Sequence, residues 1–251
     1  MVRVIFMAKE TLSSKRAIEY LCSNKDKVEI VGAVIREDDL NLQETCDENH
    51  IIVLTEEDIK EAYDKRELEA DYILSFYWKK VKRDLLDIPK KGSINFHPGP
   101  LPEARGSGYH AAILNNWGYF GVTAHYMDEE FDTGEIIECR RFSIDDNIVN
   151  KDLVRITHEQ LFLLFKDITN RILNGELLKR EKQAEGRYFS IRELEDSKLI
   201  LQDESTEHIN RKIRAFWNPP YSGAQIEICG KKYTVINEEI LSWIAERIEE
   251  K

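Results

Sequence analysis

The chain has 251 residues, 42 % of them apolar and 33 % charged, which is enough apolar chain to fill a core and excludes disorder as the default. Its 47 Asp and Glu against 36 Lys and Arg give a formal net charge of −11, a surface that repels phosphate backbones and argues against a general nucleic-acid binder. There is no run of about 18 apolar residues, so no membrane span is expected. The apolar start Val2 to Met7 is too short for a secretory leader and has no small-residue cleavage site. Cys22, Cys46, Cys139 and Cys229 are too scattered for zinc ligation or a disulfide framework. Four reduced, mostly buried cysteines in a cytoplasmic protein are expected.

In chain order, Val2 to Met7 predicts a buried strand, and Thr11 to Ser23 a helix with Ala17, Ile18 and Leu21 on one face. Val28 to Ile35 predicts a second strand and Ile51 to Leu54 a short third. Thr55 followed by Glu-Glu-Asp reads as a helix N-cap with acids in the first turn. Asp71 to Phe76 and Ser93 to His97 predict strands four and five. Strands alternating with helices predict an α/β fold, a doubly wound, mostly parallel Rossmann-like sheet. Gly121 to Met127 and Glu135 to Phe142 then read as two strands joined by an acidic loop, a hairpin at the sheet edge.

Residues 151–173 carry the longest helical stripe, with Leu153, Ile156, Leu161, Leu164, Phe165, Ile168 and Ile172, and Asn174-Gly175 ends it. Residues 176–203 are charged and read as a linker or an extended excursion. A helix over Thr206 to Phe216, a β-pair Gln225–Cys229 and Lys231–Ile236 turned at Gly230, and a helix over Glu238 to Glu249 follow. A soft boundary falls near 200: residues 1–200 form the main domain and 201–251 a small C-terminal α+β appendage.

In such a sheet ligands sit beyond the carboxyl ends of the strands. The loop after the first strand, Met7-Ala8-Lys9-Glu10-Thr11-Leu12, has no glycine to let backbone approach a pyrophosphate, and no GxxxxGK[ST] occurs. Nicotinamide dehydrogenases and P-loop enzymes are disfavoured; Lys9 is a candidate phosphate contact, or a solvated lysine.

The informative stretch is Ile94-Asn95-Phe96-His97-Pro98-Gly99-Pro100-Leu101-Pro102. Asn95 and His97 are two apart on a strand and so share a face, and Pro98 stops the ladder just after them. An amide donor beside an imidazole suits polarising one carbonyl oxygen; the plain alternative is that both satisfy backbone groups at a strand end. The loop Asp128 to Gly134 carries four acids, of which Asp132 immediately precedes Thr133-Gly134 and the returning strand. A carboxylate brought from there to His97 makes an acid–base pair, although spacing alone does not establish the pairing.

Asn95-Phe96-His97-Pro98 with its proline-rich turn, Arg105-Gly106-Ser107-Gly108, then Gly121-Val122-Thr123, His125, Met127-Asp128 and Asp132-Thr133-Gly134 follow one another in an order that resembles the 10-formyltetrahydrofolate-dependent formyltransferase superfamily. The ordered match runs from about residue 70 to 140, and a weaker fold-level match over about 1–180. The resemblance implies an enzyme whose catalytic residues are Asn95, His97 and Asp132. Asn95 and His97 would bond the developing oxyanion, Asp132 would hold His97, and no metal is needed. Which member of the coupled His–Asp pair takes the amine's proton is open. The family's pterin slot falls on Trp78, Lys79, Lys80 and Val81 after the fourth strand and on Asp128, Glu129 and Glu130.

For the amine, the resemblance favours a nucleotide-linked amino sugar, such as a 4-amino or 3-amino dideoxyhexose bound for a surface polysaccharide. The tRNA enzymes of the family carry a longer C-terminal barrel, the glycinamide ribonucleotide enzymes a Gly-rich first loop, and the hydrolases an extra N-terminal domain. Ile213 to Ala224 resembles the Arg-Ala-x-x-x-Pro-Pro-x-x-Gly-Ala stretch of the sugar N-formyltransferases, with a related stretch in the tRNA enzymes. Lys9, Arg105, Gly106, Arg214, Trp217 and Tyr221 are the substrate-binding candidates. Another small amine as acceptor, or folate binding without transfer, are the alternatives. The appendage is too small for a core of its own, and a homodimer through it is expected, with no nucleic-acid or membrane partner.

Overall fold

The computed structural model describes residues 1–77 and 79–249. In chain order its elements are β1 (Val2–Ala8), α1 (Leu12–Ser23), β2 (Val28–Val34), α2 (Leu40–Glu48), α3 (Glu56–Asp64), β3 (Tyr72–Phe76), α4 (Arg83–Leu86), β4 (Gly92–His97), β5 (Arg105–Gly106), α5 (Tyr109–Leu114), β6 (Tyr119–Tyr126), β7 (Ile136–Ser143), α6 (Asn150–Leu173), β8 (Tyr188–Phe189), α7 (Ile191–Ser197), α8 (Thr206–Phe216), β9 (Gln225–Ile228), β10 (Lys231–Thr234) and α9 (Glu238–Glu249). They fall into two compact units. The first holds residues 1–105, 121–140 and 157–186; the second holds 106–120, 141–156 and the chain from Arg187 onward.

The first unit is built on a six-stranded sheet in the order β2-β1-β3-β4-β6-β7, confirming the predicted α/β class. β1 pairs parallel with both β2 and β3, and β3 parallel with β4. β6 joins β4 antiparallel, so the sheet is mixed. The apolar run Val4 to Ala8 of β1 is continuous because both faces are covered, while β3 is interrupted by Ser75 and β4 by Ser93, Asn95 and His97, all of them buried. On one face Phe76, Phe96 and Phe165 of α6 interlock, Phe76 and Phe96 stacked at 5.2 Å and Phe96 edge-on to Phe165 at 4.9 Å. On the other, Ile5, Met7, Ile59, Ile73, Val81 and Leu85 form a buried cluster. Thr11 and Thr55 both cap their helices through capping boxes, Thr55 with Asp58.

Three local expectations change. Ile51 to Leu54 is not a strand but a single bridge of Val53 to Ala33. Ala33 N–H donates to Ile52 O and Leu54 N–H to Ala33 O, and the chain then turns at Thr55 into α3, leaving no residues to extend the ladder. α2 was not expected; only Leu42, Thr45 and Cys46 mark its buried face, too few for a legible stripe. The stretch 176–203 is not a bare excursion. Its first part straps onto the sheet through reciprocal bonds of Ile136 and Glu181, and its later part contains β8 and α7. The predicted hairpin partners are β6, beside β4, and β7, which alone forms the edge.

In the second unit Phe216 of α8 is buried and carries the His110 ring at 4.9 Å. Trp243 of α9 donates to Asp152 at 2.7 Å and meets Trp217 edge-on at 6.0 Å. β9 and β10 pair antiparallel around Cys229-Gly230, both at positive φ, the geometry of a type I′ turn. All four cysteines are free; Cys46 is buried, but Cys22 and Cys139 are partly exposed and Cys229 is exposed, so they are not mostly buried. Among the described residues no helix is long and apolar enough to cross a membrane.

Candidate active site

Asn95 and His97 leave β4 on the face that carries the Ile5–Ile73 cluster, and Phe96 points into the aromatic layer opposite. His97 is 4 % exposed and Asn95 9 %. The His97 Nε2–H donates to the Ala104 carbonyl at 2.7 Å. That bond fixes the tautomer, and it turns Nδ1 toward Asp132 Oδ1 at 3.4 Å. Two acceptors cannot face one another unopposed, so the His97–Asp132 pair has a seat for one proton between Nδ1 and the carboxylate. Burial pushes the His97 imidazole below its ordinary range, while the Asp132 carboxylate pulls the other way.

Two glycines permit this geometry. A Cβ on Gly99 would lie 2.6 Å from His97 Nε2 and 2.9 Å from Ala104 O, so only glycine lets the proline-rich turn close over that bond. A Cβ on Gly134 would lie 1.9 Å from the Tyr126 carbonyl; the acidic loop returns to the sheet through that contact. Asp132 itself sits at φ +58°, which aims its side chain back over the strand face. Thr123 pins the turn from below: its hydroxyl accepts from Leu101 N–H at 3.0 Å and donates to Gly99 O at 2.8 Å.

His125 is a site residue to which sequence reasoning gave no role. It pairs directly with Asn95 across β4 and β6, as Thr123 pairs with His97, so all four side chains share a face. The His125 Nδ1–H donates to Tyr126 O at 2.8 Å, which leaves Nε2 to accept from Asn95 Nδ2 at 3.3 Å. Nε2 also lies 3.6 Å from Asp132 Oδ1. The Asn95 amide has a second N–H beyond this bond, and its Oδ1 is buried without a partner among the described residues. The signal for His125 was its two-residue spacing from Thr123; the missing information was the strand register.

A slot opens beside these groups, lined by Tyr77, Lys79, Lys80, Val81, Asn95, His125 and the loop Met127 to Asp132. The structure thus brings Lys79, Lys80, Val81, Asp128, Glu129 and Glu130 together with Asn95 and Asp132, while His97 is not a lining residue and meets the slot through Asp132. Trp78 lies outside the described residues. Asp128 accepts from Thr133 Oγ1 at 2.6 Å and from Glu130 N–H at 3.2 Å, and Lys80 pairs with Glu130 at 2.6 Å. Lys9 follows β1 and does not line this slot; burial and Arg36 lower its pKa. Arg105 donates from Nη2 to Gln183 Oε1 and to Ala184 O, both at 3.1 Å. Gly106 has φ +74° and lies against Phe189 O. In the second unit Arg214 pairs with Glu239 at 3.2 Å, the Trp217 indole N–H has no acceptor among the described residues, and Tyr221 is exposed.

An amide donor and a carboxylate thus line a slot in an α/β sheet, with an imidazole behind the carboxylate whose other nitrogen is fixed. The chain belongs to the formyl transferase family, whose model matches residues 2–162. Over 174 residues it is 31 % identical to the GDP-perosamine N-formyltransferase of Brucella melitensis, covering 68 % of this chain and 66 % of that one. It is 29 % identical over 172 residues to the methionyl-tRNA formyltransferase of Syntrophomonas wolfei, covering 68 % of this chain and 54 % of the relative. The chain therefore spans about half to two thirds of those relatives. An N-formyltransferase from Helicobacter canadensis, solved with folinic acid and dTDP-3-aminofucose, superposes with a TM-score of 0.74 at 28 % identity over 95 % of this chain and 89 % of the other. A 4-N formyltransferase from Francisella tularensis shares the fold, with a TM-score of 0.78 at 23 % identity over 94 % and 97 % of the two chains.

Proposed function

We propose that the protein transfers a formyl group from 10-formyltetrahydrofolate to the amino group of a nucleoside-diphosphate-linked amino sugar. The observation that carries this reading is that Asn95, His125 and Asp132 line one slot with His97 behind Asp132, leaving an amide N–H for a ligand and a seat for one proton between His97 and Asp132. The slot is read as the folate's seat because its walls combine Val81 and Met127 with polar side chains of the acidic loop. The folate would supply the reactive formyl carbonyl. Asn95 Nδ2 donates to that carbonyl oxygen, and a proton on His97 Nδ1 adds a second donor. The carboxylate of Asp132 keeps that proton in place and takes the one released by the attacking amine, and the pair returns a proton to the folate nitrogen as its bond to the formyl carbon breaks and tetrahydrofolate leaves. The sugar substrate is supported by the neighbours solved as sugar N-formyltransferases, one of them with a dTDP-amino sugar. Arg214 is proposed to meet the pyrophosphate and Trp217 and Tyr221 the nucleotide or sugar; the protein is proposed to act in the cytoplasm.

A screen of GDP- and dTDP-linked amino sugars with 10-formyltetrahydrofolate, read as tetrahydrofolate release, tests the assignment. Turnover that requires one such sugar is expected. Turnover with methionyl-tRNA in place of the sugars would move the substrate to the other branch of the family, and folate binding without release to any amine would remove the transfer reading.

A homodimer through the C-terminal hairpin and α9 is part of the same proposal. Tyr221, Ile228, Tyr233, Ile236, Leu241 and Ile248 are exposed apolar side chains in that region. Sedimentation of the full chain is expected to give a dimer at micromolar concentration, and Ile228→Lys with Tyr233→Asp to weaken it at least about tenfold. A monomeric wild-type chain, or a doubly substituted dimer of unchanged affinity, would exclude this interface.

A further inference from the structure

We propose that Gln183 is a positioning residue, whose side-chain amide fixes the backbone from which the Asp132 carboxylate reaches His97. The proposal rests on the catalytic reading of Asp132. Gln183 lies on the strap 176–186, a segment with no regular structure and no role in the reading so far. Its Nε2 donates to Asp132 O at 3.0 Å and to Gly134 O at 2.6 Å. These are the carbonyls on either side of Thr133, so one NH2 group spans the turn that carries the carboxylate.

The amide has only one workable orientation. Its Oε1 accepts from Arg105 Nη2 at 3.1 Å. Flipping it would set an oxygen against two carbonyls and an NH2 against a guanidinium. A glutamine thus satisfies both sides, where glutamate, methionine or leucine of similar size would fail at the carbonyls.

The connection closes on itself. Ala104 O receives the His97 Nε2–H, and the next residue, Arg105, holds Gln183, which holds Asp132. The imidazole and the carboxylate are therefore both referenced to the same two residues, 104 and 105. The Nδ1–Oδ1 separation of 3.4 Å is set by this ring of contacts, since Asp132 stands on a loop at positive φ. Catalytic groups displaced by about 1 Å lose on the order of 100-fold in rate, which is the scale of effect such a tether guards against.

The test is Gln183→Glu, which keeps the shape and the acceptor for Arg105 but loses both donations, with Gln183→Met as a neutral second variant should the first not fold. The expected result is a kcat lowered about 10- to 100-fold and KM for folate and amine within about threefold. The pH profile of kcat should also shift, because the His97–Asp132 pair is perturbed. Lys179→Ala, on the same strap and paired with Glu181 at the surface, should match wild type. The double variant Asp132→Asn with Gln183→Glu should be no slower than Asp132→Asn alone. Wild-type kcat and pH profile in folded Gln183→Glu and Gln183→Met, or losses that multiply in the double variant, would overturn the role of Gln183 and leave the reading of Asp132 standing. Wild-type turnover in Asp132→Asn would instead remove Asp132, and the positioning role with it.

Discussion

Asp132→Asn is expected to slow formyl transfer at least about 100-fold while the protein stays folded, because it removes the carboxylate that holds the proton of the His97 pair. The substitution keeps the size of the side chain and the φ of +58°, a conformation asparagine adopts as readily as aspartate. An amide N–H facing Nδ1 satisfies the imidazole in its neutral form, so the structure has no reason to collapse; what disappears is the acceptor. His97→Asn should cost at least as much, since it also strands the Ala104 carbonyl that now receives the Nε2–H at 2.7 Å. Steady-state release of tetrahydrofolate, with melting curves to certify the fold, measures both. A folded Asp132→Asn enzyme with near-normal turnover would take Asp132 out of the mechanism.

Mild acid is expected to weaken the fold through two histidines remote from the slot. Burial, aided by Lys198, lowers the pKa of His110 to about 4, and burial, aided by Lys9, does the same to His158. His158 Nδ1 lies 2.8 Å from the Ser13 hydroxyl, and His110 stacks on Phe216. The sign follows from which state binds more protons. Below the ordinary value near 6.5 the unfolded chain takes up a proton that the folded chain refuses until about pH 4. Stability is therefore complete above about 6.5 and is lost as the pH falls toward 4. Each histidine contributes a loss of about 2 kcal/mol between pH 7.5 and 5. Urea midpoints at the two pH values measure it, and His158→Gln should remove about 2 kcal/mol of the dependence. Equal midpoints at pH 7.5 and 5 would show that neither histidine is held neutral.

The legible parts of this fold are those where burial writes an unmistakable pattern. β1 is covered on both faces and reads as an apolar run from Val4 to Ala8, β3 reads the same way but for Ser75, and the long stripe of α6 follows a helical period. Ile51 to Leu54 has the same composition as a short strand, and only the three-dimensional path decides that it forms one bridge. The site divides in the same way. Asn95 and His97 are legible because a strand's period of two places them on one face. His125 reaches that face through the register of β6 on β4, a long-range fact that no local pattern carries. Asp132 could be singled out among four acids only by family resemblance, since its approach depends on a positive φ and on Gly134 passing the Tyr126 carbonyl. Gln183 left no trace, because a single amide in an irregular charged stretch gains meaning only from the two carbonyls it meets.

The placement of β4 between β3 and β6 has a consequence for how the site moves in time. Asn95, His97 and His125 stand on strands with neighbours on both sides, and opening them requires parting the middle of the sheet, the slowest event available to such a fold. Asp132 stands on a loop that a few side-chain and backbone bonds hold down, and those bonds open in events far smaller than unfolding. The two sides of the candidate site therefore differ in what opening them costs: the carboxylate side opens with its loop alone, and the wall behind it only with the sheet.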